Sequence, residues 1–96
     1  MQLKDKVIII TGAAQGMGAT HARLCIEAGA KVVLTDINAE KGQALATELG
    51  SNALFIKHDV TSEAGWKQVV EQTEAQFGPV NVLVNNAGIT LSLIHI

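Results

Sequence analysis

Val7-Ile8-Ile9-Ile10-Thr11-Gly12-Ala13-Ala14-Gln15-Gly16-Met17-Gly18 is the stretch on which the fold turns. Four β-branched residues in a row, with no polar residue alternating among them, predict a strand buried on both faces, as at the centre of a parallel sheet. Gly12, Gly16 and Gly18 follow, and Ala19 to Ala28 then reads as helix. A glycine-rich turn between a buried strand and a helix gathers bare backbone N–H groups at the positive end of a helix dipole. That arrangement suits the pyrophosphate of a nucleotide. The spacing is G-x-x-x-G-x-G rather than G-x-G-x-x-G, and a plain tight connection is the other use of such glycines.

Composition narrows the class. The 96 residues are 48% hydrophobic and 17% charged, enough apolar material for one small layered domain and too much for a disordered chain. A formal net charge of −2 without a basic patch argues against nucleic acid as a partner. The single cysteine, Cys25, has no second thiol to pair with and reads as a small buried hydrophobe of the first helix. The apolar run of the first strand follows Lys4-Asp5-Lys6 and ends in glycines, unlike a signal peptide or a membrane span. A cytoplasmic protein with no membrane partner is expected.

Past the glycine turn, Ala19, Ala22, Arg23, Cys25 and Ile26 are predicted to share one helical face, and Gly29 to end the helix as its C′ residue. The second strand runs from Lys31 to Ile37 with Val32 to Leu34 as its core. Asp36 near its end lies close to the ~20-residue separation at which dinucleotide folds place the carboxylate that holds the adenosine ribose. Such a carboxylate accepts hydrogen bonds from ribose hydroxyls but repels a 2′-phosphate. At ~4 Å and an effective dielectric near ~20 the like-charge energy is about 4 kcal/mol before screening by salt. NAD is therefore expected over NADP, and the uncharged Gln15, where a basic side chain would meet the extra phosphate, points the same way. An ordinary strand-end Asp in a turn is the alternative.

Asn38 is a cap for a helix over Ala39 to Leu49, with Leu45 and Leu49 on one face and Gly50 closing it. A short strand, Ala53 to Lys57, leads into His58-Asp59-Val60. From the residues alone Asp59 is also suited to the N-terminus of the next helix, and His58, with no ligand set around it, reads as structural. Thr61 or Ser62 starts that helix, where Trp66, Val69, Val70, Thr73 and Phe77 form an apolar stripe opposite Lys67, Glu71, Glu74 and Gln76. Gly78-Pro79 stops it, and Val80 to Val84 is the fourth strand. Four strands alternating with three helices predict an α/β fold, a Rossmann-type doubly wound parallel sheet of order 3-2-1-4. In that order Asn86, Ala87 and Gly88 leave the fourth strand beside the glycine turn, although Asn85 to Gly88 also has the composition of a simple turn.

Two motifs carry a family likeness. Thr11-Gly12-Ala13-Ala14-Gln15-Gly16-Met17-Gly18 resembles the TGxxxGxG turn of the short-chain dehydrogenase/reductase family, and Asn85-Asn86-Ala87-Gly88 resembles its second signature. The likeness covers residues 3 to 90. It implies NAD contacts from Gly12, Ala14, Gln15, Gly16, Met17 and Gly18 in the turn, and from Asp36 and Ile37 at the end of the second strand. It further implies adenine contacts from Asp59 and Val60, and nicotinamide-side contacts from Asn86, Ala87 and Gly88. The implied reaction moves a hydride between nicotinamide and a secondary alcohol or ketone. Gly-Met-Gly, His-Asp-Val-Thr, Trp66 and Val69-Val70 are most similar to NAD-linked members such as hydroxysteroid or cyclopentanol dehydrogenases. Carrier-protein ketoreductases and non-catalytic nucleotide-binding modules share the same frame. A full-length relative is expected to be a homo-oligomer, a tetramer.

The family's catalytic Ser, Tyr and Lys belong to the part after the Asn-Asn-Ala-Gly signature, and this chain contains no tyrosine. Residues 1–90 are accordingly read as an incomplete NAD-binding half-domain that does not turn over substrate; no catalytic or metal-ligating residue is assigned. Leu91 to Ile96 departs from the family pattern. It can be written CTG-TCT-CTT-ATA-CAC-ATC, the end of a common transposon-library adapter, so a non-native tail is expected and His95 is given no role. With later strands missing, the fourth strand becomes an edge with apolar side chains, and aggregation or partial folding is expected.

Overall fold

Strand β1, Val7–Thr11, is buried along its whole length, as its unbroken β-branched run requires. The computed structural model describes residues 3–14, 16–59 and 62–85. In chain order β1 is followed by α1 (Gly16–Glu27), β2 (Lys31–Asp36), α2 (Ala39–Leu49), β3 (Ala53–Lys57), α3 (Glu63–Phe77) and β4 (Val82–Asn85). The sheet is parallel throughout and ordered β3-β2-β1-β4, the doubly wound arrangement read from the sequence.

Each sheet face has its own core. Ile8, Ile10, Val32 and Leu34 point to the face covered by α1 and α2, where they meet Ala22, Leu45 and Ala46. Ile9 and Val33 point to the other face and pack with Trp66 and Val69 of α3 and with Val80. The α3 stripe is therefore where its spacing put it: Trp66, Val69 and Thr73 are buried, while Lys67, Glu71, Glu74 and Gln76 are exposed. Asn38 and Ser62 cap α2 and α3 by accepting from the backbone N–H of Lys41 and Gly65. Gly29, at φ +97°, ends α1 in a Schellman pattern, with Ala30 N–H donating to Cys25 O and Gly29 N–H to Ile26 O, both at 3.0 Å.

Four local readings change. Helix α1 begins at Gly16, not Ala19, because the absent side chain of Gly18 lets its first turn rest on the Gly12 carbonyl. Arg23 does not join the apolar face of α1; its guanidinium lies in solvent and pairs with Glu48 of α2 at 2.8 Å. Each partner stabilises the other's charged form, raising the Arg23 pKa and lowering that of Glu48. Strand β2 stops at Asp36, whose carboxylate turns back to accept from Asn38 N–H and bends the chain before Ile37 can pair. Strand β4 spans Val82–Asn85 rather than Val80 to Val84. Asn81 stands ahead of it, its side-chain oxygen accepting from Val7 N–H at 2.8 Å and its own N–H donating to Val7 O at 2.8 Å, so Val80 is core without being strand.

Candidate functional site

Parallel strands bring their C-terminal ends to one edge of the sheet. Here Thr11 is level with Thr35 on one side and Asn85 on the other, and Asp36 is level with Lys57. The Thr11 hydroxyl donates to Val84 O at 3.5 Å, joining the ends of β1 and β4. The turn after β1, the start of α1, the end of β2 and the loop after β3 therefore gather at the switch point of the sheet, where open α/β folds hold ligands.

The glycine turn has the shape its composition suggested. Gly12 and Gly16 take φ of +60° and +58°, values that favour glycine. A Cβ on Gly18 would lie 2.3 Å from Gly12 O and 2.8 Å from Ala13 Cα, so the helix can approach the turn this closely only without a side chain there. Nothing lies within 4 Å of the position a Gly16 Cβ would occupy, which leaves room above the first turn of α1. That turn holds no acidic residue, so no side chain of its own offsets the positive end of the dipole. An anion is what such a surface accepts.

Asp36 is bound into this turn. Its Oδ2 accepts from Ala14 N–H at 3.0 Å and its Oδ1 from Asn38 N–H at 2.9 Å, while Asp36 O accepts from His58 N–H at 3.1 Å. Ala13 N–H donates to Thr35 O at 3.1 Å. The last two residues of β2 thus connect the glycine turn, the start of α2 and the end of β3. Hydrogen bonds to a charged acceptor each contribute about 1.5–3 kcal/mol, and a carboxylate has lone pairs left for hydroxyl donors. Met17 and Ile37, 70% and 68% exposed, are large apolar side chains left in solvent at this edge.

The loop after β3 is organised by His58. Its ring is buried, lies edge-on to Trp66 with centroids 4.4 Å apart, and occupies space that a side chain on Gly65 would take, 2.6 Å from His58 Cδ2. Asp59 is exposed and its carbonyl accepts from Ser62 N–H at 2.9 Å. The structural reading of His58 therefore holds, and its role is to fix the loop that carries Asp59. The sequence reading missed the bonds of Asp36 to Ala14 and Asn38. The Asp-x-Asn spacing was a signal for the second, an Asx turn, whereas the first joins residues 22 apart.

Of the residues singled out in the sequence, Gly12, Ala14, Gly16, Met17, Gly18, Asp36, Ile37 and Asp59 lie at this edge. Gln15, Val60, Asn86, Ala87 and Gly88 fall outside the described residues, as does 91–96. The Cys25 thiol, half buried in α1, has its pKa pushed up by burial. Among the described residues no three His, Cys, Asp or Glu side chains are grouped to hold a metal ion, and no helix is long and apolar enough to cross a membrane.

The family model for short chain dehydrogenases matches residues 6–95. The chain belongs to the short-chain dehydrogenase family. It is 48% identical over 90 residues to a 3-beta-hydroxysteroid dehydrogenase of Comamonas testosteroni, covering 94% of this chain and 35% of that protein. An NADP-dependent (R)-specific alcohol dehydrogenase of Lentilactobacillus kefiri is 44% identical over 93 residues, covering 95% of this chain and 37% of that one. The crystal structure of a 3-ketoacyl-(acyl-carrier-protein) reductase from Brucella melitensis, complexed with NADH, superposes with a TM-score of 0.88 at 41% identity, over 92% of this chain and 36% of that one. The chain spans about a third of the length of these relatives.

Proposed function

We propose that this chain is the cofactor-holding part of an NAD-dependent short-chain oxidoreductase acting on a secondary alcohol or ketone, with a hydroxysteroid or cyclic alcohol as the substrate class. One observation carries the choice of NAD: the Asp36 carboxylate sits 3.0 Å from Ala14 N–H, on the rim of the glycine turn. A dinucleotide whose pyrophosphate meets the N–H groups of that turn brings its adenosine ribose within reach of Asp36, where both hydroxyls can donate. A 2′-phosphate there would face the carboxylate as a like charge. Asp59 and Val60 serve the adenine, with Ile37 as an apolar wall, and Asn86, Ala87 and Gly88 serve the nicotinamide side. When bound, the nicotinamide supplies hydride-transfer chemistry; the residues of this chain bind and orient.

The substrate class is supported by the Comamonas hydroxysteroid dehydrogenase. A carrier-protein ketoreductase is the second reading, favoured by the likeness to the Brucella reductase. Fold by itself does not separate the two.

The test is equilibrium titration of the purified protein with NADH and NADPH, followed by the fluorescence of the reduced nicotinamide. NADH is expected to bind at least ~10-fold more tightly, a factor that corresponds to about 1.4 kcal/mol of the like-charge repulsion left after screening. Equal affinities, or a preference for NADPH, would overturn the assignment of Asp36. In a longer chain that carries this segment together with the family's catalytic Ser, Tyr and Lys, oxidation of a 3-hydroxysteroid in preference to reduction of a 3-oxoacyl thioester supports the first substrate class; the reverse supports the second.

A further inference from the structure

Asp36 has a task in the ligand-free molecule that ribose recognition does not require. Both of its carboxylate oxygens already accept backbone N–H groups, Oδ2 from Ala14 in the glycine turn and Oδ1 from Asn38 at the start of α2. The neighbouring bond from Ala13 N–H to Thr35 O fastens the same turn one residue earlier. Gly12 and Gly16, on either side of Ala14, both take positive φ and bring no side chain to restrain the turn. An acceptor that holds Ala14 N–H from outside the turn restricts that freedom before any ligand arrives.

We infer that Asp36 is a positioning residue for the phosphate-binding turn: its carboxylate latches Ala14 and so shapes the amides that receive the pyrophosphate, 22 residues away in sequence. This rests on the reading of the turn as a dinucleotide site. The latch separates two properties that a simple ribose contact would couple. Exclusion of a 2′-phosphate depends on charge, so Asp36→Asn and Asp36→Ala lose it alike. Order in the turn depends on the number of acceptors. Asn offers one carbonyl for the two backbone donors and Ala offers none, so Asp36→Asn retains part of the order and Asp36→Ala loses it. A ligand that has a pyrophosphate but no adenosine ribose senses the latch and the charge, and because both variants remove the charge alike, the difference between Asp36→Asn and Asp36→Ala reports the latch.

The experiment combines hydrogen–deuterium exchange of the ligand-free protein with calorimetric titration by inorganic pyrophosphate, on wild type, Asp36→Asn and Asp36→Ala. Exchange in the peptide containing Ala14 is expected to rise about tenfold in Asp36→Ala and less in Asp36→Asn, while the β2 core around Val33 stays protected in both. Pyrophosphate is expected to bind several-fold more weakly to Asp36→Ala than to Asp36→Asn. Unchanged exchange at Ala14 in Asp36→Ala, together with equal pyrophosphate affinity in the two variants, would overturn the latch, even if NADH binding were lost. Failure of the cofactor reading is a separate result: wild type would bind neither NADH nor pyrophosphate, whatever the exchange at Ala14.

Discussion

At the residue scale, the two glycines that open α1 do different work, and substitution separates them. Gly18 is needed for space: an added Cβ meets the backbone of Gly12 and Ala13, which no rotamer change relieves. Gly16 is needed for its φ of +58°, with open space around the missing side chain. Gly18→Ala is expected to cost about 1–3 kcal/mol, with a lower urea midpoint and weakened NADH binding, because α1 must lift off the turn. Gly16→Asn, a residue that tolerates the left-handed region, is expected to cost under about 1 kcal/mol. Equal losses for the two would contradict the distinction. Asp36 shows where reading a sequence residue by residue stops. Its type and position announced a ribose carboxylate, but its bond to Ala14 depends on how far β2 extends beside β1, a matter of register rather than composition.

At the scale of elements, most of the fold was legible because local signals agreed. Val7 to Ile10 had no polar alternation, Asn38 and Ser62 stood where caps belong, and the 3.6-residue stripe from Trp66 to Phe77 named the face of α3 that is buried. Boundaries failed where backbone geometry outweighed pattern, at the start of α1 and at both ends of β4. Gly42, in the middle of α2, drew no attention in the sequence, yet it is what lets that helix lie on β3: a Cβ there would fall 2.0 Å from Phe55 Cε1. Helix propensity alone says that Gly42→Ala stabilises by about 0.5–1 kcal/mol. Packing against the Phe55 ring is expected to reverse that sign, with a net loss of about 1–2 kcal/mol in urea unfolding followed through Trp66 emission. A stabilised variant would show that the ring moves aside freely.

At the scale of the whole molecule, the described sheet ends at β3 on one side and β4 on the other, and Val82 at the β4 edge is 40% exposed. An exposed valine at the edge of the described sheet favours pairing with a second copy. The 96-residue chain is expected to self-associate with rising concentration in light scattering, and Val82→Lys to reduce that association. A monodisperse monomer across the concentration range would mean the edge is covered. The same scale governs function. The glycine turn is a loop by itself, and the anion site proposed for it requires what the parallel sheet provides, the ends of β1, β2 and β4 brought level. Of the two signatures that suggested the family, the first lies at this edge in all its described residues, Gln15 falling outside them, and of the second only Asn85 is described, level with Thr11.

The most direct measurement is a crystal structure of the protein with NADH. The pyrophosphate is expected at the N–H groups between Gly12 and Gly18, and the adenosine ribose hydroxyls at about 2.5–3.0 Å from the Asp36 carboxylate. A dinucleotide bound with its ribose turned away from Asp36, or lodged anywhere but this edge of the sheet, would contradict the account.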